Sequence, residues 1–171
     1  RQFIGKWINH DLVVPSIAPH APYTCTQEIL RASAALAVEF DVPLHIHLSE
    51  TALEVENCRN EQGMPVIPYV KKLNLFDAKV LAAHCVHIDE GEIKTLANHK
   101  IGIAHNPSSN LKLASGFAPV VKMLEAGLNV GIGTDGPASN NDLDMFEEVR
   151  LASFIAKAHT SDPTALPAQT A

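Results

Sequence analysis

Short apolar segments that each end in a polar residue recur along the chain, and this repetition constrains the fold most strongly. They alternate with segments of helical spacing, which is typical of βαβ units and a parallel sheet. The polar endings are His20, His47 with Glu50 three residues later, His84, His105 and Asp135. Because parallel strands present their carboxyl ends at one edge, the endings predict a ring around a single site and favour a (β/α)₈ barrel over an open sheet.

The length of the chain limits how much of a barrel it holds. A complete (β/α)₈ barrel takes about 250 residues, or about 31 for each strand–helix unit. At 171 residues, the chain supplies about five units. We therefore expect an α/β fold in which residues 1–171 form part of a TIM barrel.

The strands of this barrel are predicted at residues 11–18, 43–48, 78–87, 100–105 and 129–134. Helices are predicted at residues 24–40, 51–58, 68–73, 89–99, 117–126 and from 142 onward. Thr24 and Gln27 match a capping box at the start of the first helix, and Gly127 is a normal helix stop. Residues 106–110 are interpreted as a loop.

Charge, apolar runs and cysteines argue against several classes of protein. The net charge is −6 without a basic cluster, which argues against nucleic acid as a partner. The longest apolar runs are broken by Gly, Pro or His, so we expect no membrane span, and no secretory signal is visible. The three cysteines lack metal-finger spacing and predict free thiols in a reducing compartment, the cytoplasm.

The strand ends carry residue types that bind metals and move protons. Neutral imidazole and carboxylate are the ligands that zinc takes at catalytic sites, where one position stays open for water. His47 and Asp135 form the best ligand pair. Glu50 and His84 would stand beside the metal as proton-transfer groups. His45 lies one pleat further down its strand and is a poor ligand candidate. Two ligands are too few for tight binding, so we expect more from elsewhere.

Several of these histidines also admit a structural interpretation. His45 and His47 suit a pair of hydrogen-bonded core histidines beside the Ser-Glu that starts a helix. His20 lies in a loop stiffened by Pro19 and Pro22, which suits a binding residue and a simple turn histidine about equally. The residues alone leave these alternatives open.

A glycine-rich loop at the end of the last predicted strand matches the spacing of a dinucleotide-binding motif. Gly131, Gly133 and Gly136 have the spacing of that fingerprint. In the motif, the loop opens a helix whose N-terminus meets pyrophosphate. Here Asp135 would place a negative charge against the phosphates, and the next predicted helix begins only at residue 142. We therefore reject this interpretation.

Stretches along nearly the whole chain resemble the amidohydrolase superfamily, in the branch of 5-methylthioadenosine/S-adenosylhomocysteine deaminases and triazine hydrolases. They follow the order of that family at residues 19–25 (PHAPYTC), 45–51 (HIHLSET), 83–87 (AHCVH), 105–112 (HNPSSNLK) and 133–141 (GTDGPASNN). The resemblance implies a (β/α)₈ barrel that binds one divalent metal ion, usually zinc, at the carboxyl ends of its strands.

The resemblance also implies catalytic roles for single residues. His47 resembles the metal ligand on the fifth strand, and Asp135 resembles the ligand on the eighth strand, which also moves a proton of the water. His84 resembles the sixth-strand histidine that hydrogen-bonds the metal-bound water. Glu50 resembles the acid that protonates the ring nitrogen beside the attacked carbon.

Other family features concern substrate contacts and the extent of the chain. His20 and Ser139 resemble substrate contacts, whereas His87 and His105 belong to motifs with structural or supporting roles. The family's first-strand His-x-His, and the arginines and acid that bind the substrate, have no counterpart in this sequence. The chain also ends before the small β-domain of family members. We therefore expect it to cover strands 4 to 8 with their helices and to be inactive by itself.

The resemblance implies metal-dependent hydrolytic deamination of an adenine-type nucleoside, 5-methylthioadenosine or S-adenosylhomocysteine, by the parent enzyme. Among enzymes, the alternative is a guanine or triazine aminohydrolase or chlorohydrolase. The alternative from another class is a non-catalytic fragment that associates through open barrel edges. We expect a cytoplasmic homo-oligomer whose partner is a small molecule, a purine nucleoside or related heterocycle, and not nucleic acid or a membrane.

Overall fold

The computed structural model describes all 171 residues as one parallel sheet with helices packed against it. The strands are β1 (Leu44–Leu48), β2 (Val80–His84), β3 (Gly102–His105) and β4 (Asn129–Ile132). They are hydrogen-bonded in chain order, and every neighbouring pair is parallel. The helices are α1 (Gln2–Trp7), α2 (Gln27–Phe40), α3 (Ala52–Gln62), α4 (Val66–Lys72), α5 (Glu90–Asn98), α6 (Pro107–Lys112), α7 (Val120–Glu125) and α8 (Met145–Thr160), with a 3₁₀ turn at Leu75–Asp77. None of these helices is both long and apolar enough to span a membrane. The predicted α/β class and parallel sheet are confirmed.

The strand predicted at residues 11–18 is wrong, because this segment contributes only one bridge to the sheet. Ile17 pairs with the start of β1 in the parallel direction, and its N–H donates to the Pro43 carbonyl (2.9 Å). Prolines two residues to either side of Ile17 have no N–H to donate and restrict the backbone, which prevents a regular ladder. The segment still follows the edge of β1, since the His47 N–H donates to the His20 carbonyl (3.1 Å).

Several predicted helix ends are also wrong. α2 begins after Thr26 rather than Thr24, because the Thr26 hydroxyl accepts from the Ile29 N–H (3.4 Å) and caps the helix. α3 continues past residue 58 until Gly63, whose φ of +72° ends it. α8 begins later than predicted, since the Asp144 carboxylate accepts from N–H groups of its first turn.

The predicted loop at residues 106–110 is in fact the start of α6. Pro107 occupies the first helical position and Asn106 precedes it. A proline is favoured there, because the N–H that it lacks would have no partner within the helix. This helix carries Ser109 and Asn110, both buried, to the carboxyl edge of the sheet.

The alternation of aliphatic residues and histidines along β1 explains why one face of the sheet packs into the hydrophobic core. Leu44, Ile46 and Leu48 alternate with two histidines, and side chains two residues apart share a strand face. The three aliphatic side chains are at most 1% exposed and pack into the hydrophobic core. Burying each one stabilises the fold by about 1.5–3 kcal/mol. His45 and His47 therefore face the opposite side of the sheet.

We expect Gly133→Ala to destabilise the fold, because this glycine lies against the buried Asn106. A Cβ atom at position 133 would lie 2.5 Å from the Asn106 side-chain oxygen. Overpacking of this kind costs about 1–3 kcal/mol, to be measured as the free energy of unfolding in urea. Gly131→Ala is the control, because its Cβ would meet no atom closer than 3.9 Å. Equal losses in the two variants would contradict this explanation.

Candidate metal and active site

The carboxyl ends of the strands bring three potential metal ligands together. His47, His84 and Asp135 each offer one ligand atom, and these atoms lie within 4.8 Å of one another. They come from β1, from β2 and from the loop after β4, so the predicted convergence of strand ends is present in the structure. The geometry places His84 beside His47 and Asp135, the pair of metal ligands predicted from the sequence. His45 is not part of this cluster.

His47 is oriented by the segment that runs along β1. Its Nδ1 lies 2.6 Å from the His20 carbonyl oxygen. Because a carbonyl only accepts, Nδ1 carries a proton and donates it, so in the neutral imidazole Nε2 is the nitrogen with the lone pair. This is the arrangement in which a histidine binds a metal, since the second nitrogen fixes both the tautomer and the ring orientation.

His84 is held in a similar way but at a buried position. It is 1% exposed, and its Nδ1 lies 2.9 Å from the Oδ1 of Asn110 in α6. With Nδ1 as the donor, Nε2 faces the site and lies 3.9 Å from Glu50 Oε2. The ring planes of His84 and His47 are stacked with centroids 5.5 Å apart.

Asp135 is surrounded by hydroxyl donors. Its Oδ2 accepts from Ser109 Oγ at 2.7 Å and from Ser139 Oγ at 2.5 Å. Burial raises the pKa of Asp135, but hydrogen bonds from Ser139, Ser109 and the Gly136 backbone together bring the pKa below its usual value. The carboxylate is therefore ionised at neutral pH, as a metal ligand must be.

Glu50 lies on a turn that a second, buried glutamate shapes. Glu54 accepts from the backbone N–H groups of Ser49 (3.1 Å) and Glu50 (2.7 Å) with its two oxygens. Burial is the main reason that the pKa of Glu54 is raised, and the hydrogen bonds from the backbone oppose that shift. The Glu50 side chain is still 16% exposed and accepts from Ser115 Oγ at 3.4 Å. It can thus reach a molecule bound above the strand ends.

The two predicted substrate contacts also lie at this edge. The ring of His20 lies 5.0 Å from that of His47 and is exposed, with its Nδ1 2.8 Å from the Thr24 hydroxyl. Ser139 is tied to Asp135, as described above. His87 instead bonds the Ser115 carbonyl (2.6 Å), which gives it a supporting position behind Glu50.

Sequence reasoning missed four residues that hold this site. They are Glu54, Ser109, Asn110 and Ser115. Thr51 and Glu54 have the spacing of a capping box, which could have singled out the glutamate, although its side chain bonds other N–H groups than that motif predicts. The Asn-Pro pair before Ser109 could have indicated a helix start. No local signal marks Ser115.

The residues present fit a divalent metal ion. Two imidazoles with free Nε2 atoms and one ionised carboxylate form the donor set found in catalytic zinc sites. A parallel sheet with such a cluster at its strand ends defines a class of barrel proteins that build metal sites at this edge. The profile of the Amidohydrolase family matches residues 1–171. The chain belongs to the amidohydrolase family, which confirms the resemblance drawn from its motifs.

Several proteins similar to this chain carry the name deaminase. The 5-methylthioadenosine/S-adenosylhomocysteine deaminase of Desulforudis audaxviator is 52% identical over 98% of this chain and 39% of its own length. An adenosine deaminase from Xanthomonas campestris with bound zinc matches with a TM-score of 0.96 at 41% identity, over 99% of this chain and 38% of that protein. A guanine deaminase from C. acetobutylicum with bound guanine matches with a TM-score of 0.90 at 27% identity, over 99% and 42%. The chain thus spans about two fifths of the length of the curated relatives it matches.

His105 makes stability depend on pH. It is 3% exposed and its Nδ1 has no partner; burial first, and the nearby His84 second, lower its pKa to about 4. An unfolded histidine titrates near pH ~6.5, so the folded state resists protonation. The stability from His105 is complete above about pH 6.5 and is lost as the pH falls through about 4, by about 3 kcal/mol in total.

We therefore expect His105→Gln to lose less stability than the wild type when the pH falls from about 7 to about 4.5. The measurement is the urea midpoint at both pH values. His10→Gln changes an exposed histidine and should behave as the wild type. Equal acid sensitivity in the wild type and His105→Gln would contradict the role given to His105.

Proposed function

We propose that the protein carrying this chain is a metal-dependent aminohydrolase that deaminates an adenine-type nucleoside, 5-methylthioadenosine or S-adenosylhomocysteine. The observation that carries this proposal is the cluster of His47, His84 and Asp135 with Glu50 beside it at one edge of the sheet. The name of the relative from Desulforudis audaxviator supports this choice of substrate.

His47 and Asp135 would hold the metal ion, which we propose to be zinc. Zinc at a catalytic site takes three protein ligands, so at least one further ligand would come from residues beyond these 171, which leaves the Nε2 of His84 free for proton transfer. When bound, the ion lowers the pKa of a water molecule to about 7 and so supplies a nucleophile at neutral pH.

The side chains around the metal position would manage the protons of the reaction. Glu50 would protonate the ring nitrogen next to the carbon that bears the amino group. Asp135 and His84 would accept the two protons of the attacking water as its oxygen bonds to that carbon. One proton would go to the amino group, which leaves as ammonia when the C–N bond breaks, and the other would return to Glu50. The Glu54 contacts to the backbone hold Glu50 in place for this step. His20 and Ser139 would contact the substrate.

Two alternative functions are distinguished by the experiment described below. A guanine substrate is supported by the similarity to the guanine deaminase, and a triazine substrate by the similarity to a triazine hydrolase, although both are less identical to this chain than the relative from Desulforudis audaxviator. A non-catalytic role through open sheet edges is supported by β4, which has no partner on its outer side. We also propose a cytoplasmic homo-oligomer; the three free cysteines agree with a reducing compartment.

The full protein that carries this sequence tests the proposal. We expect bound zinc and ammonia release from 5-methylthioadenosine and S-adenosylhomocysteine, with little release from guanine or triazines. A preference for guanine or a triazine would favour the alternative enzymes, and a protein without zinc or turnover would favour the non-catalytic role. The 171 residues alone are expected to be inactive in this assay.

His47→Ala and Asp135→Ala are each expected to abolish zinc binding and turnover in the full protein. Each change removes a ligand and leaves the ion under-coordinated. Bound zinc is measured after dialysis, together with ammonia release. His45→Ala is the matched control, because this imidazole lies on the same strand but outside the cluster. Normal zinc content in His47→Ala or Asp135→Ala would show that the ligands are misassigned.

Glu50→Gln is expected to keep the zinc while kcat falls by about 10²–10⁴-fold, the usual range for general acid–base catalysis. The amide keeps the shape but has no acidic proton to give. Glu56→Gln, at an exposed position of α3, is the control. A loss under about tenfold would assign Glu50 a structural role, and loss of the metal would make Glu50 a ligand.

A further inference from the structure

Glu148, in the first turn of α8, is the most buried carboxylate of the chain, at 1% exposure. It takes part in none of the ion pairs of the structure. Burying a carboxylate is unfavourable unless it is hydrogen-bonded. Its Oε2 accepts from the Ser108 N–H (3.0 Å), and its Oε1 accepts from Asn140 Nδ2 (2.6 Å). The proposed reaction gives this residue no part, so these two contacts need another explanation.

The first contact reaches Asp135 through α6. Ser108 directly precedes Ser109, and the Ser109 hydroxyl donates to Asp135 Oδ2. By holding the Ser108 N–H at the first turn of α6, Glu148 fixes where that helix begins relative to α8. The position of the Ser109 hydroxyl follows from this, because it lies on the same turn.

The second contact reaches Asp135 through the loop after β4. Asn140 directly follows Ser139, whose hydroxyl also donates to Asp135 Oδ2. The Asn140 Nδ2 that faces Glu148 donates as well to the carbonyl of Thr134 (2.9 Å), the residue before Asp135. Through Asn140, Glu148 thus fixes the backbone before and after Asp135.

We propose that Glu148 is a positioning residue for Asp135. It fixes the two serine hydroxyls and the backbone that together aim the Asp135 carboxylate at the metal position, without touching that carboxylate itself. The inference rests on the proposed function, since it takes Asp135 as a metal ligand.

The chemistry of the two contacts requires a carboxylate. Both partners are N–H donors, and only a carboxylate offers two acceptor oxygens and no donor of its own. Glu148→Gln keeps the volume but sets an amide N–H₂ against one of the donors. This variant therefore disturbs the contacts while removing little packing.

In the full protein, Glu148→Gln is expected to weaken zinc binding about 10–100-fold, the usual effect of losing a group that orients a metal ligand. Zinc affinity is measured by competition with a chromophoric chelator at a temperature where the variant is folded. We also expect kcat for 5-methylthioadenosine to fall while KM changes little. Glu147→Gln is the matched control, because it removes an exposed carboxylate from the same helical turn.

A reciprocal exchange separates positioning from general stability. Asn140→Asp alone sets two carboxylates against each other. Combined with Glu148→Gln, it restores a donor–acceptor pair with the roles exchanged. We expect the double variant to bind zinc more tightly than Asn140→Asp. If Glu148→Gln does not fold, the comparison of these two variants decides the question.

Three results would overturn the inference. The first is a Glu148→Gln protein with a lowered unfolding midpoint but zinc affinity and kcat equal to those of Glu147→Gln. The second is a double variant that binds zinc no better than Asn140→Asp. A wild-type protein that binds no zinc would overturn the proposed metal site and this inference together, which distinguishes that failure from the other two.

Discussion

The parallel register of β1 and β2 is the constraint on which the site depends. His47 lies opposite Ala83, and Leu48 lies opposite His84. The two histidines therefore reach the same edge of the sheet, with His84 one residue nearer to that edge than His47. A slip of one residue would turn every side chain of β1 to the other face and expose its aliphatic residues. The hydrophobic core therefore selects the register, and the register sets the distance between the two imidazoles. The two imidazoles are polar, but burial of the Leu and Ile side chains on the other face of β1 determines where they lie.

Beyond the strands, the backbone bends sharply at or next to residues of the candidate site. Residues with left-handed φ follow or end three of the strand regions, at Ser49 (+51°), His84 (+70°) and Asp135 (+61°). In a residue with a Cβ atom, this conformation costs about 1–2 kcal/mol. Helix-borne side chains offset that cost: Glu54 of α3 holds the first turn, and Asn110 of α6 holds the second. The site is thus assembled by the helices as much as by the strands.

The sequence was informative where the signal is local. An apolar strand followed by a histidine or an aspartate could be read at His47 and Asp135, because strand alternation and the change to polar residues lie within a few positions. Residues 11–18 looked like a strand for the same reason, and only the spacing of prolines around Ile17 argued against it. The bond from Ser109 to Asp135 could not be predicted, because it joins residues 26 positions apart. It depends on where α6 begins, which no apolar pattern marks.

The charges around the strand ends give a physical reason to expect a cation there, independent of family membership. Asp135 is kept ionised by hydroxyl and backbone donors that outweigh the effect of burial on its pKa. Glu148 meets only neutral N–H donors, and the Lys and Arg ion pairs of the chain all involve exposed carboxylates elsewhere. Buried negative charge is unfavourable without compensation. A divalent ion held by Asp135 and the free Nε2 of His47 would compensate the charge of Asp135 at the edge of the sheet.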